Sequence, residues 1–144
     1  MRISGLVVAL LLVLGACSSG TEECSPAQTT SNAGEAQLET TDQFEAWSLW
    51  FTDIPANQPV RIPQWDEVKV VWSVTGQGDF TVAVKHSNGT VIDPLFGPQP
   101  HDGSNWDAPG DEWGTGWAFT VEGCWTFTVT RGSEVATLSV EVVS

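Results

Sequence analysis

The chain has 144 residues, 41% of them hydrophobic, with 18 acidic side chains against 5 lysines and arginines and a formal net charge of −13. That length holds one core of ordinary domain size and leaves no room for a second. So acidic a body is repelled by nucleic acid and by anionic headgroups, which argues against either as a direct ligand.

Met1 and Arg2 precede an apolar run from Ile3 to Ala16. The run is too short for a membrane-spanning helix, which needs about 20 apolar residues. A basic residue, a short apolar core and small closing residues describe an export signal over residues 1–16. Its end, Leu14-Gly15-Ala16-Cys17, resembles the lipobox of bacterial lipoproteins. The resemblance implies diacylglycerol on the Cys17 thiol, cleavage before it, and a lipid-anchored extracytoplasmic protein. Each buried methylene contributes about 0.8 kcal/mol, so two or three chains hold such a protein on the membrane without a spanning helix.

Residues 17–42 are polar and poor in large apolar groups, and read as a lipidated terminus and flexible tether. With Cys17 acylated, Cys24 and Cys124 remain, and an even pair in an exported chain is expected to form a disulfide. If Cys24 is bridged, the free tether shrinks to the few residues before it, and the domain sits close to the bilayer.

From residue 43 to 144, short apolar segments alternate with Gly, Pro, Asn and Asp, the pattern of an all-β sandwich or barrel. Trp47, Leu49 and Phe51 share a face if Phe44–Phe51 is a strand, with a short helix as the competing reading. Val68, Val70, Trp72 and Val74 form one inward row, and Phe80, Val82 and Val84 the next. Asn88-Gly89 supplies a hairpin turn. Trp117, Phe119 and Val121 follow, then Trp125, Phe127 and Val129. Arg131-Gly132-Ser133 turns the chain into Leu138, Val140 and Val142.

The segment from Asp93 to Glu112 breaks this rhythm and reads as a long irregular loop, which in a compact domain is often functional. Residues 97–113 supply the candidate binding set: His101, Asn105, Trp106, Asp107, Asp111, Glu112 and Trp113. The oxygen donors suggest calcium weakly, since the EF-hand spacing is absent; no other cofactor is implied. His101 with Asp111 or Glu112 could pair as acid and base, but the chain has no nucleophile elbow, zinc motif or phosphate loop. Trp106 and Trp113 flank the acidic residues, as aromatic rings do where glycans or protein partners are gripped.

Several segments occur together: Lys69-Val70-Val71-Trp72-Ser73-Val74-Thr75-Gly76, then Ser104-Asn105-Trp106, then Pro109-Gly110-Asp111-Glu112-Trp113-Gly114-Thr115-Gly116, then Gly123-Cys124-Trp125. Over residues 44–143 the chain resembles a group of uncharacterised exported bacterial proteins with KIVWRMTG, GSNW, PGDEWGTGF and GCW segments in that order. It departs from them at Ser73 and Val74, where Arg-Met is common, and at Trp117, where Phe is usual. The resemblance implies a single small immunoglobulin-like β-sandwich and assigns no activity. Trp72 lies too far beyond Cys24 for the inter-sheet bridge of antibody domains. The expected function is a non-enzymatic, membrane-anchored module engaging an envelope protein or glycan. A purely structural envelope protein and a hydrolase using the loop carboxylates are the alternatives.

Overall fold

The computed structural model describes residues 23–40 and 43–144; the signal segment and Cys17 lie outside the described residues. Eleven strands and no helix make up the described chain. They are β1 (Glu35–Gln37), β2 (Glu39–Thr40), β3 (Ala46–Trp50), β4 (Arg61–Pro63), β5 (Glu67–Val74) and β6 (Phe80–His86). β7 (Val91–Ile92), β8 (Phe96–Pro100), β9 (Asp111–Ala118), β10 (Gly123–Arg131) and β11 (Glu134–Val143) complete the set.

Two sheets form, in the orders β1-β3-β5-β9-β8 and β2-β11-β10-β6-β7, with β4 running parallel to the end of β11. The long strands enter alternately, so that β3-β5-β9-β8 and β11-β10-β6-β7 reproduce the A-B-E-D and G-F-C-C′ sheets of an immunoglobulin-like sandwich. All the long strand pairs are antiparallel.

The inward rows are those the alternation specifies. Val68, Val70, Trp72 and Val74 face Trp125, Phe127, Val129, Leu138, Val140 and Val142 in one apolar cluster. Phe127 sits among Trp50, Trp72 and Trp117, with ring centroids 5.3–5.5 Å away at tilted or edge-on angles. Burying an indole calls for a partner for its N–H, and four core indoles have one, whereas Trp47 Nε1, on the outer face of β3, is buried without a partner. Thr115 Oγ1 accepts from both Trp72 and Trp117 at 2.8 Å, Ser48 Oγ accepts from Trp50 at 2.9 Å, and the Val121 carbonyl accepts from Trp125 at 2.9 Å.

Phe44–Phe51 contains a strand on which Trp47, Leu49 and Phe51 share a face as expected; it is the outer face, while Ala46, Ser48 and Trp50 are buried in the sandwich. Two sequence expectations need correction. The stretch assigned to a tether supplies β1 and β2, one to each sheet, because their backbone groups complete the ladders of β3 and β11. The domain therefore begins well before residue 43. The segment 93–112 is also not wholly irregular: β8 pairs with β9, and the loop proper is 101–110.

Cys24 and Cys124 are bonded, with Cα atoms 5.3 Å apart. Cys124 lies on β10 next to inward Trp125, so it points away from the core, and the bridge clips the leading segment onto the outside of the second sheet. Ala27 N–H donates to the Ser139 carbonyl at 2.8 Å and extends that attachment.

Candidate functional site

Loop 101–110 leaves β8 at one edge of the first sheet and returns across its outer face. His101 prolongs the ladder by one step, its N–H donating to the Glu112 carbonyl at 2.9 Å. Ser73 Oγ, on β5 in mid-sheet, donates to the Pro109 carbonyl at 2.8 Å. Trp106 Nε1 reaches Glu35 Oε1 on β1, at the opposite edge, over 2.6 Å. The loop is thus a strap over the sheet. It accounts for Val71 and Ser73, which point outward by register yet are 1% and 0% exposed. Gly110 lets the strap return to β9: at φ 107° it lies so close to Val74 that a Cβ would run into that residue's carbonyl.

At the root of the strap, four side chains form a chain of hydrogen bonds. Lys69 Nζ stands 3.1 Å from His101 Nε2, His101 Nδ1 stands 3.2 Å from Glu112 Oε2, and Ser104 Oγ donates to Glu112 Oε1 at 2.7 Å. An ammonium can only donate, so Nε2 accepts and the ring proton resides on Nδ1, where it meets the carboxylate. Both ring nitrogens are occupied, and Ser104 bonds to the carboxylate rather than to the imidazole. A serine–histidine–acid relay needs the hydroxyl where Lys69 sits. The arrangement holds the loop and aligns no nucleophile with a base.

Asp111 and Trp113 belong to a second group, at the end of the sandwich. Arg131 Nη2 donates to Asp111 Oδ2 at 2.8 Å, and its guanidinium lies 4.4 Å from the Trp113 ring centroid. Trp113 in turn stacks on Phe80 with centroids 4.3 Å apart and planes 10° from parallel. Strand alternation places Trp113 on the same side as Trp117, so its ring joins the two sheets instead of facing solvent. Trp106 is half-buried under its own loop. Asn105 and Asp107 are exposed.

The seven candidates therefore divide. His101 and Glu112 anchor the strap, Trp106 fastens its far side, Asp111 and Trp113 tie the sheets together, and Asn105 and Asp107 are presented outward. Between the strap and β9 lies a shallow cleft of about 420 Å³, lined by Asp102, Gly103, Gly110 and Glu112 among others. Of the donors that suggest calcium, Asp111 Oδ2 and both Glu112 oxygens take part in the bonds described above. Among the described residues, no group of three or more His, Cys, Asp or Glu side chains is placed to hold a metal. His86 is on the inner side of the second sheet, its Nε2 donating to the Glu122 carbonyl at 2.8 Å, and so shares no site with His101.

Sequence reasoning missed Lys69, Ser104, Glu35 and Arg131, the partners that give the candidates their roles. Lys69 and Glu35 sit on strands far from the loop in sequence, and nothing local to them signals the contact.

No protein-family model matches the chain, and no curated protein matches it. Among solved structures, the crystal structure of the Lin-41 filamin domain is similar, with a TM-score of 0.44 and 9% sequence identity, over 81% of this chain and 97% of that one.

Proposed function

We propose that this protein is a lipid-anchored extracytoplasmic module that binds an envelope partner through the outer surface of its 101–110 strap, without catalysis. The observation that carries this reading is the strap itself. Ten residues are held across a sheet by side chains from β1, β5 and β9, although no strand pairing demands their path. A loop ordered in advance loses little entropy on binding, which favours recognition.

The chemistry offered outward is acidic and amide-bearing: Asp102, Asn105 and Asp107 are exposed there. The rings of Trp106 and Trp113 are engaged within the protein, so stacking on sugar faces is not what this surface offers. A basic patch on an envelope protein fits it better than a glycan. The engagement of both His101 nitrogens favours this reading over hydrolysis. Cys17 in its lipobox-like context and the Cys24–Cys124 bridge support the extracytoplasmic address, since disulfides persist in oxidising compartments.

Two measurements test the reading. Mass spectrometry of the mature amino terminus should show an acylated Cys17. A photo-crosslinking residue at Asn105, in cells, should give one discrete adduct that is lost when Asp102 and Asp107 are both changed to Asn. An unmodified terminus sinks the anchor, and an adduct pattern indifferent to those carboxylates sinks the binding surface.

A further inference from the structure

We infer that the end of the sandwich bearing Trp65 rests against the lipid bilayer, with the Trp65 ring at headgroup depth. The inference depends on the lipid anchor proposed above and adds an orientation and a contact surface to it.

Strand register divides the molecule into two ends. β5 begins, and β9 and β11 finish, at the end where Cys124 opens β10. The turn after β4 projects there, because Gln64 N–H bonds to the Val143 carbonyl at 2.7 Å and Trp65 N–H to the Phe119 carbonyl at 2.9 Å. Among the described residues, five of the six exposed large apolar side chains lie on this half. Trp65 is 67% exposed at the tip, Val91 lies on β7 at the far edge of the second sheet, and Phe51, Leu95 and Phe96 border the lower part of the first sheet. Val135 alone is at the other end. Single exposed apolar residues need no explanation, but their collection at one end does.

Trp65 is also the one large side chain at positive φ among the described residues. It adopts φ 73°, a region unfavourable for a bulky residue, and its turn is fixed by the two backbone bonds above and by Gln64 Nε2 on the Thr120 carbonyl at 2.7 Å. The protein thus holds an indole rigidly outward at a backbone cost, and indoles partition to membrane interfaces.

The anchor decides which end faces lipid. Glu23, the first described residue, lies beside Lys85, His86 and Ser87 at the Trp65 end. Six residue steps separate it from Cys17, a reach of about 20 Å. Presenting the opposite end to the bilayer would require the tether to run the length of β5, eight residues and about 26 Å. Charge does not select this end: among the described residues Arg61, Lys69 and Lys85 lie on this half and Arg131 at the other, but Asp66, Glu67, Glu122 and Glu141 flank the same tip and Arg61 is paired with Glu141, so the contact rests on the indole and the anchor.

The test uses the lipidated protein labelled with 5-fluorotryptophan, in vesicles of phosphatidylethanolamine and phosphatidylglycerol, with the Trp65 resonance assigned from W65F. A nitroxide on the lipid headgroup should abolish the Trp65 fluorine signal and spare that of Trp106, while a water-soluble gadolinium chelate should spare Trp65. Loss of the Trp65 signal to gadolinium alone would overturn the inference, since this end would then face water. Protection from both agents would also overturn it, because a second copy or another protein would then cover the ring. Vesicle flotation separates these results from failure of the anchor: protein that floats but fails the fluorine test refutes only the orientation, and protein that does not float refutes both.

Discussion

Lys69 Nζ and His101 Nε2 lie 3.1 Å apart, a lysine from the middle of the first sheet holding a histidine at the root of the strap that crosses it. The contact requires a neutral ring with its proton on Nδ1, because a protonated imidazole would direct an N–H at the ammonium. Nitrogen-15 shifts of His101 should report the Nδ1–H form, and K69M should remove the hydrogen-bond shift at Nε2 while the Glu112 carboxylate keeps the proton on Nδ1. Because Lys69 also lies 4.8 Å from the Phe51 ring centroid and keeps its stem on the sheet, the Met variant retains most of the packing. Its cost should be about 1 kcal/mol by urea denaturation.

The Trp106–Glu35 bond is the far fastening of the strap. E35A should leave the sandwich folded, with a loss of about 1–2 kcal/mol for an indole N–H deprived of a charged acceptor. Amide exchange should accelerate in residues 101–110 and at Val71, which the strap covers, while β10 and β11 stay protected. Unchanged exchange in the strap would show that Glu35 does not hold it.

Thr115 accepts two buried indole N–H groups and donates to the Val70 carbonyl at 3.3 Å. T115V keeps the shape and removes every one of these bonds. At about 1–3 kcal/mol for each stranded donor, the variant should lose about 3 kcal/mol or more. T115S should recover most of it. Urea midpoints of the three proteins decide the matter.

The Cys24–Cys124 bridge spans a sequence separation of 100. Loop-closure entropy assigns such a crosslink about 4–5 kcal/mol. C24S/C124S should be destabilised by that order. Because the clip fixes the segment that continues into β1, exchange protection at Ala27 and Thr29 should fall first.

Much of the fold was legible in the sequence for one physical reason: strand alternation is local. Residues two apart face the same side whatever the rest of the chain does. Val68 to Val74 and Trp125 to Val129 therefore showed their buried faces directly, and Asn88-Gly89 showed its turn. The disulfide followed from counting, once an acylated Cys17 was set aside.

Other features depended on which surface met which. Both faces of β3 are aromatic, so its sequence does not rank Trp50 against Trp47, and packing on Phe127 decides. Glu35 to Thr40 looks like tether because two short strands carry little apolar signal, and they are recruited by open sheet edges. The loop at 101–110 was visible as an interruption, but its path over the sheet was not. Lys69, Ser73 and Glu35 hold it across sequence separations of 32, 36 and 71. Composition and local period thus fix which side chains avoid water, while the meeting of distant strands decides which polar groups are spent on structure and which remain at the surface for a partner.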